Sequence, residues 1–259
     1  MDGQTSGSLN QQILNKYQAK FGHVEPKVHA TVSENLGICV VIPCYNEPDL
    51  LTSLKSLNMA EAPDCQVEVI VVVNHSVKAP QSVKEQNRNS AELARSASAD
   101  FWFKTLILEQ EFEEKHAGVG LARKTGMDEA LHRFQLAGND GLIACFDADS
   151  KVTSNYFKTL ETTFKSQSNC FGASIYFRHP LDDLTNDHKR AITEYELFLR
   201  FYNLGCNYAD LPYAHFTVGS SMVVISDAYV KVGGMNKRKA GEDFYFLQKV
   251  IQLGGFTEI

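Results

Sequence analysis

Between residues 37 and 255 the chain alternates between two kinds of pattern. Short, wholly apolar runs are followed by segments whose apolar residues recur every three or four positions. Ile38-Cys39-Val40-Val41-Ile42 is the first such run, and Val67-Glu68-Val69-Ile70-Val71-Val72-Val73 is the second. Runs of this kind are expected for strands buried on both faces. Phe101–Leu106, Leu142–Phe146, Cys170–Phe177 and Met222–Ile225 supply further candidate strands. Between them Leu50, Leu51, Leu54 and Leu57 fall on one helical stripe, with Pro48 suited to the first turn. Gly118 and Gly120 open a helix whose inner face is Met127, Ala130, Leu131 and Phe134. Ser154 is placed to cap a helix carrying Tyr156, Phe157, Leu160 and Phe164. A last helix is expected over about 243–253, ended by Gly254-Gly255. Leu14, Tyr17 and Phe21 are spaced for a short amphipathic helix within an otherwise polar segment, so residues 1–35 read as peripheral. Strand–helix alternation predicts an α/β fold with a mostly parallel sheet covered on both faces.

The length, 259 residues, and a composition 44% hydrophobic and 22% charged suit a globular domain with a sizeable core. A net charge of −6 argues against a nucleic-acid partner. No run is long and apolar enough to span a membrane, and Met1–Asn10 lacks a signal-peptide pattern. The six cysteines, Cys39, Cys44, Cys65, Cys145, Cys170 and Cys206, form no CxxC pair. They read as reduced thiols of a cytoplasmic protein, which makes a zinc site unexpected.

In parallel α/β sheets ligands bind beyond the carboxyl ends of the strands. Four polar groups fall there or nearby: Pro43-Cys44-Tyr45-Asn46-Glu47, Asn74-His75-Ser76, Asp147-Ala148-Asp149 and Gly241-Glu242-Asp243. Asp147 and Asp149 can converge on one hard divalent cation that bridges to phosphate, or they can be a polar strand end and a turn residue. Glu242 and Asp243 can accept an acceptor's proton, or they can simply favour the first turn of a helix. Arg123 and Lys124, after the glycines, can approach an anion at a helix N-terminus or face solvent. Gly118-Val119-Gly120 lacks the third spaced glycine of a dinucleotide fingerprint. Of the scattered histidines, only His215 precedes a cleft-side segment, Gly219-Ser220.

In their order along the chain these groups resemble the GT-A glycosyltransferases, and most closely family 2. The resemblance is carried by VVIPCYNEPDLLTSLKSL (40–57), VEVIVVVNHS (67–76), GVGLARKTGMDEAL (118–131), ACFDADSKV (144–152) and GSSMVVISDAYVKVGGMNKRKAGEDFYFLQKV (219–250). It spans about residues 37–255, so 36–259 is expected to form one Rossmann-like GT-A domain. The resemblance implies transfer of a sugar from a nucleoside-diphosphate donor to an acceptor hydroxyl on a saccharide, lipid or small molecule. Pro43, Tyr45, Glu47 and Asn74 would border the nucleoside, and Arg123 would approach the nucleotide. Asp147 would contact the donor or the metal, and Asp149 would hold a Mn²⁺ or Mg²⁺ ion. Gly219 and Ser220 would line the sugar pocket. Asp243 would be the base of an inverting reaction, supported by Glu242.

Three departures matter. Val73, Asn74 and His75 stand where the family commonly has two aspartates and a glycine, which puts uridine specificity in question. Lys124 replaces the usual asparagine after the helix arginine. The sequence also stops at Ile259, before the arginine- and tryptophan-bearing loop of many members, so either the chain is trimmed or the site lacks that lid. A retaining GT-A enzyme and a non-catalytic nucleotide-sugar-binding domain are the competing readings. A sugar-phosphate nucleotidyltransferase would need a glycine-rich, basic loop after the first strand, which Pro43-Cys44-Tyr45-Asn46 is not. Arg178–Pro212 is expected to shape the acceptor site. It holds a charged loop (Asp182, Asp183, Asp187, Lys189, Arg190) and the aromatics Tyr195, Phe198, Phe201 and Tyr202. Their spacing favours core packing over sugar stacking.

Overall fold

The computed structural model describes residues 11–21, 25–182 and 184–259. Met1–Asn10 and Asp183, which entered the reading of the N-terminus and of the charged loop, lie outside the described residues. Seven strands form one sheet: β1 (Leu36–Cys44), β2 (Gln66–Ser76), β3 (Lys104–Phe112), β4 (Leu142–Cys145), β5 (Gly172–Ser174), β6 (Met222–Ile225) and β7 (Phe256–Glu258). Their spatial order is β3-β2-β1-β4-β6-β5-β7. β1, β2, β3 and β4 run parallel, β6 runs antiparallel to both β4 and β5, and β7 pairs parallel with β5. A mostly parallel sheet is therefore present, with β6 as its one reversed strand.

Helices α1 (Gln11–Phe21), α2 (Leu50–Met59), α3 (Gln81–Ala97), α4 (Val119–Ala137), α5 (Tyr156–Ser166), α6 (Asn186–Tyr208), α7 (Ser226–Lys231) and α8 (Glu242–Ile251) surround it. The alternating side chains of β1 and β2 divide the core in two. Cys39, Val41, Ile70 and Val72 join Leu131, Phe134, Tyr229 and Phe246 on one face. Ile38, Val40, Ile42, Val69 and Val71 join Leu54, Leu57, Phe157 and Leu160 on the other.

The N-terminal segment is more integrated than its polar composition predicts. Leu14 and Tyr17 are buried in the first of these clusters. The Tyr17 hydroxyl donates to Asp128 (2.6 Å), as does the Tyr229 hydroxyl (2.5 Å), and Lys124 donates to Tyr17 (2.8 Å). Further on, Arg133 and Glu68 form an ion pair (2.6 Å) with both side chains fully buried. Arg133 also donates to the carbonyls of Ala30 and Thr31, and Glu68 accepts from the Ser33 amide (2.8 Å). Buried charges need this kind of complete pairing, and here it straps residues 30–33 across the sheet.

Several element boundaries differ from the sequence reading. The third strand lies at 104–112, because Phe103 packs into the core before the ladder begins. β5 is confined to three residues. Ser154 does not cap α5: Asn155 flanks it without a side-chain cap, and the Ser154 carbonyl accepts from the Glu61 amide (2.8 Å). The expectation that the aromatics of 195–202 pack in the core is corrected. They lie on α6, none of whose residues is buried, and Tyr195, Phe198, Phe201 and Tyr202 are all exposed.

Candidate active site

The site forms beyond Cys44, Ser76 and Cys145, the carboxyl ends of β1, β2 and β4. Because β6 is reversed, the residues before it, Gly219–Ser221, arrive at the same end, with Met222 opposite Cys145. One reversed strand thus brings a second chain segment to Asp147.

Arg123, on the first turns of α4, is the centre of the arrangement. It is 2% exposed. One terminal nitrogen donates to Glu242 of α8, and the other donates to Asp147 (2.9 Å) just after β4. Burial alone would lower the guanidinium's pKa, but the charges of Asp147, Glu242 and Asp243 raise it instead. The Asp147 carboxyl is pushed up by burial and by the neighbouring Asp149, while Arg123 and a hydrogen bond with Ser220 pull it back. Gly219 and Ser220 come to the same arginine and carboxylate: a Cβ on Gly219 would sit 2.6–2.9 Å from the Arg123 guanidinium. Glycine is needed there so that the backbone can lie flush on the arginine.

The second acidic motif is held by the same logic. A Cβ on Gly120 would fall 2.1 Å from the Arg238 carbonyl, so only glycine lets the 236–242 segment reach the start of α4. The Asn236 amide donates to the Glu242 carbonyl (2.7 Å). Glu242 is buried, whereas Asp243 is half-buried at the N-terminus of α8, where its Oδ1 accepts from the Phe244 amide (2.7 Å). The two neighbours therefore differ in kind: Glu242 is buried on the arginine, and Asp243 is half open to solvent.

At the ends of β1 and β2, Tyr45 is exposed, Pro43 and Glu47 are half-buried, and Asn46 adopts a left-handed conformation (φ 52°). Asn74 is buried and its amide donates to the Cys44 carbonyl (3.0 Å), tying the end of β2 to that of β1. Asn87 of α3, which the sequence reading did not single out, completes this corner. Its side chain accepts from the Asn46 amide and donates to the Asn74 carbonyl, both at 2.8 Å. His75 lies 3.5 Å from Glu111 and faces Asn87. His215 meets Glu258 (3.4 Å) and the ring of Phe256. Lys124, next to Arg123, is buried against Tyr17 and Asp128, so neither cation faces solvent.

The geometry thus puts Asp147 and Glu242 on one buried arginine. The profile of the Glycosyl transferase family 2 domain matches residues 39–233, most of the chain. The chain belongs to that family. No curated protein matches the sequence. Solved structures share its fold. S. aureus TarS 1-349 superimposes with a TM-score of 0.52 at 14% identity, over 86% of this chain and 58% of that one. The same protein in complex with UDP-GlcNAc gives 0.54 at 13% identity over 86% and 56%, and with UDP 0.55 at 14% identity over 86% and 57%. This family 2 chain therefore spans somewhat under three fifths of those proteins' crystallised length, and at such identities the likeness is one of fold.

Proposed function

We propose that the chain transfers a sugar from a nucleoside diphosphate to an acceptor hydroxyl at this site, with inversion and with help from a divalent cation. The observation that carries the reading is the Arg123 bridge, which ties the donor-side Asp147 to Glu242, the neighbour of Asp243. The complexes of S. aureus TarS with UDP-GlcNAc and UDP support the donor class.

Asp243 is the base. It is half open to solvent at the N-terminus of α8, within reach of an incoming acceptor, and takes the acceptor's proton as the hydroxyl attacks the anomeric carbon. Glu242 holds the start of α8 in place through Arg123. Tyr45, Pro43 and Glu47 border the nucleoside, and Ser220 with Gly219 borders the sugar.

Asp147 and Asp149 fit a hard cation as an incomplete shell. Asp149 is exposed and has no hydrogen-bond or ion-pair partner among the described residues, and the Asp147 side chain is 41% exposed despite its bond to Arg123. Among the described residues no group of three or more histidines, cysteines or carboxylates could hold a metal ion. The remaining ligands would come from the diphosphate and water, as suits Mg²⁺ or Mn²⁺. The chemistry such a cation supplies is neutralisation of the charge on the departing diphosphate.

Thermal-shift screening of nucleotide sugars with Mn²⁺ identifies the donor, since a ligand bound only to the native state raises the melting temperature. Calorimetry of the matching nucleoside diphosphate with wild type and Asp149→Ala, with and without Mn²⁺, then tests the assignment. Mn²⁺ is expected to tighten binding to wild type and to leave the variant unchanged. Equal affinities in all four experiments would remove the metal.

A further inference from the structure

α6 is turned inside out. Its half-buried side carries Glu196, Arg200 and Asn203 beside Ile192 and Leu199. Polar contacts hold that side down: the His179 amide donates to Glu196, Arg200 donates to the Phe177 carbonyl (2.7 Å), and Asn207 donates to the Ala214 carbonyl (3.2 Å). Arg200 also lies over the rings of Tyr176 and Phe177. The outward side of the last three turns is apolar and carries no charge. Phe201 is 73% exposed and Tyr208 94%, with Leu197, Phe198, Tyr202 and Leu204 also exposed around them.

The area is too large for an ordinary surface. At about 200 Å² for a fully uncovered aromatic side chain, the rings and leucines of this face together present on the order of 1,000 Å². The largest apolar patch on a typical monomer is about 300–600 Å², and a stable interface needs about 800 Å² from each partner. Gly205 lies in the middle of the face, and a Cβ placed there would meet nothing within 4 Å. Glycine inside a helix costs stability relative to alanine, and here no neighbour among the described residues requires it. It does leave a flat spot where another helix can come close.

We propose that this face is a homodimer interface, in which two copies of the chain pack α6 against α6 across a two-fold axis with Gly205 at the crossing. A two-fold contact presents the same patch from both sides, so a single apolar face is self-complementary. The surrounding charge disfavours an anionic lipid surface as occupant. The arginines on α6 are already ion-paired, Arg190 with Glu194 and Arg200 with Glu196, and the chain carries a net charge of −6.

Sedimentation equilibrium of the chain over a wide concentration range tests this, with Phe201→Glu and Gly205→Leu as variants. Wild type is expected to pass from monomer to dimer. Each variant should weaken dimerisation by at least about thirtyfold, the effect of losing one hot-spot residue. Gly205→Leu should meanwhile keep or raise the melting temperature, because leucine is the better helix former, which separates a lost interface from a lost fold. A wild-type chain that stays monomeric throughout overturns the assignment. So does a dimer that both variants retain, and so does a monomer that co-sediments with phosphatidylcholine–phosphatidylglycerol vesicles. None of these outcomes depends on the donor, the metal or the base proposed above.

Discussion

A guanidinium withdrawn from water survives only where carboxylates meet it, and Arg123 meets two. Removing it in Arg123→Met leaves Glu242 buried and unpaired, a change that typically costs about 3–5 kcal/mol. Urea unfolding is expected to show a loss of that order. Arg123→Lys should recover part of the stability but little turnover, because a lysine cannot span two carboxylates as a fork does. Asp243 behaves oppositely, since its carboxylate is half open and among the described residues bonds only to its own helix start. Asp243→Asn should therefore fold normally and keep donor affinity while kcat falls by about 10²–10⁴-fold, the usual worth of a general base. Near-normal kcat in that variant would take Asp243 out of the reaction and favour a retaining mechanism. The two acidic pairs were visible in the sequence as strand-end and helix-start residues. Their convergence on one arginine was not, because Arg123 and Glu242 lie 119 positions apart and no local pattern joins them.

Asn74 belongs to the element scale, because its amide joins two strand ends. In Asn74→Asp the group facing the Cys44 carbonyl can no longer donate, and two acceptors are left in contact. A buried acceptor without a partner costs about 1–3 kcal/mol. The variant is expected to lose stability by that amount in denaturant titrations and to change the relative affinities for UDP, GDP and ADP. If stability falls and the ranking of the three does not move, the residue holds the corner without reading the base. β1, β2 and β4 were legible because a strand buried on both faces leaves an unbroken apolar run. α3 was not: its buried positions are Val83, Asn87, Ser90, Ala91 and Ala94, small or polar residues that leave almost no apolar stripe. α6 was legible as a helix-spaced segment, yet which side faces inward was not, since periodicity states that a stripe exists without saying what covers it. On α6 the anchoring side is the polar one.

At the scale of the whole molecule, stability toward acid should follow Glu68. Burial pushes its carboxyl up, but hydrogen bonds from Arg133 and Ser33 more than offset this, and it is held below the ordinary glutamate range. A depressed native pKa contributes stability above the unfolded-state value, and that stability is lost as pH falls through the unfolded value toward the native one. Urea midpoints measured down a pH series should therefore drop on entering the ordinary glutamate range. In Glu68→Gln the acid-side slope should be shallower and the starting stability lower. Equal slopes would show that other carboxylates govern acid unfolding. The sheet carries a consequence of a different sort. The backbone between Ser174 and Met222 leaves and re-enters at one end of the sheet because β6 is reversed, so its length is not counted into the register of any strand pair. Arg123, Asp147 and α8 are supplied from outside that excursion. A change in the length or sequence of residues 177–216 can then be absorbed without shifting the bridge from Arg123 to Asp147 and Glu242, so this stretch is where relatives of the chain are freest to diverge.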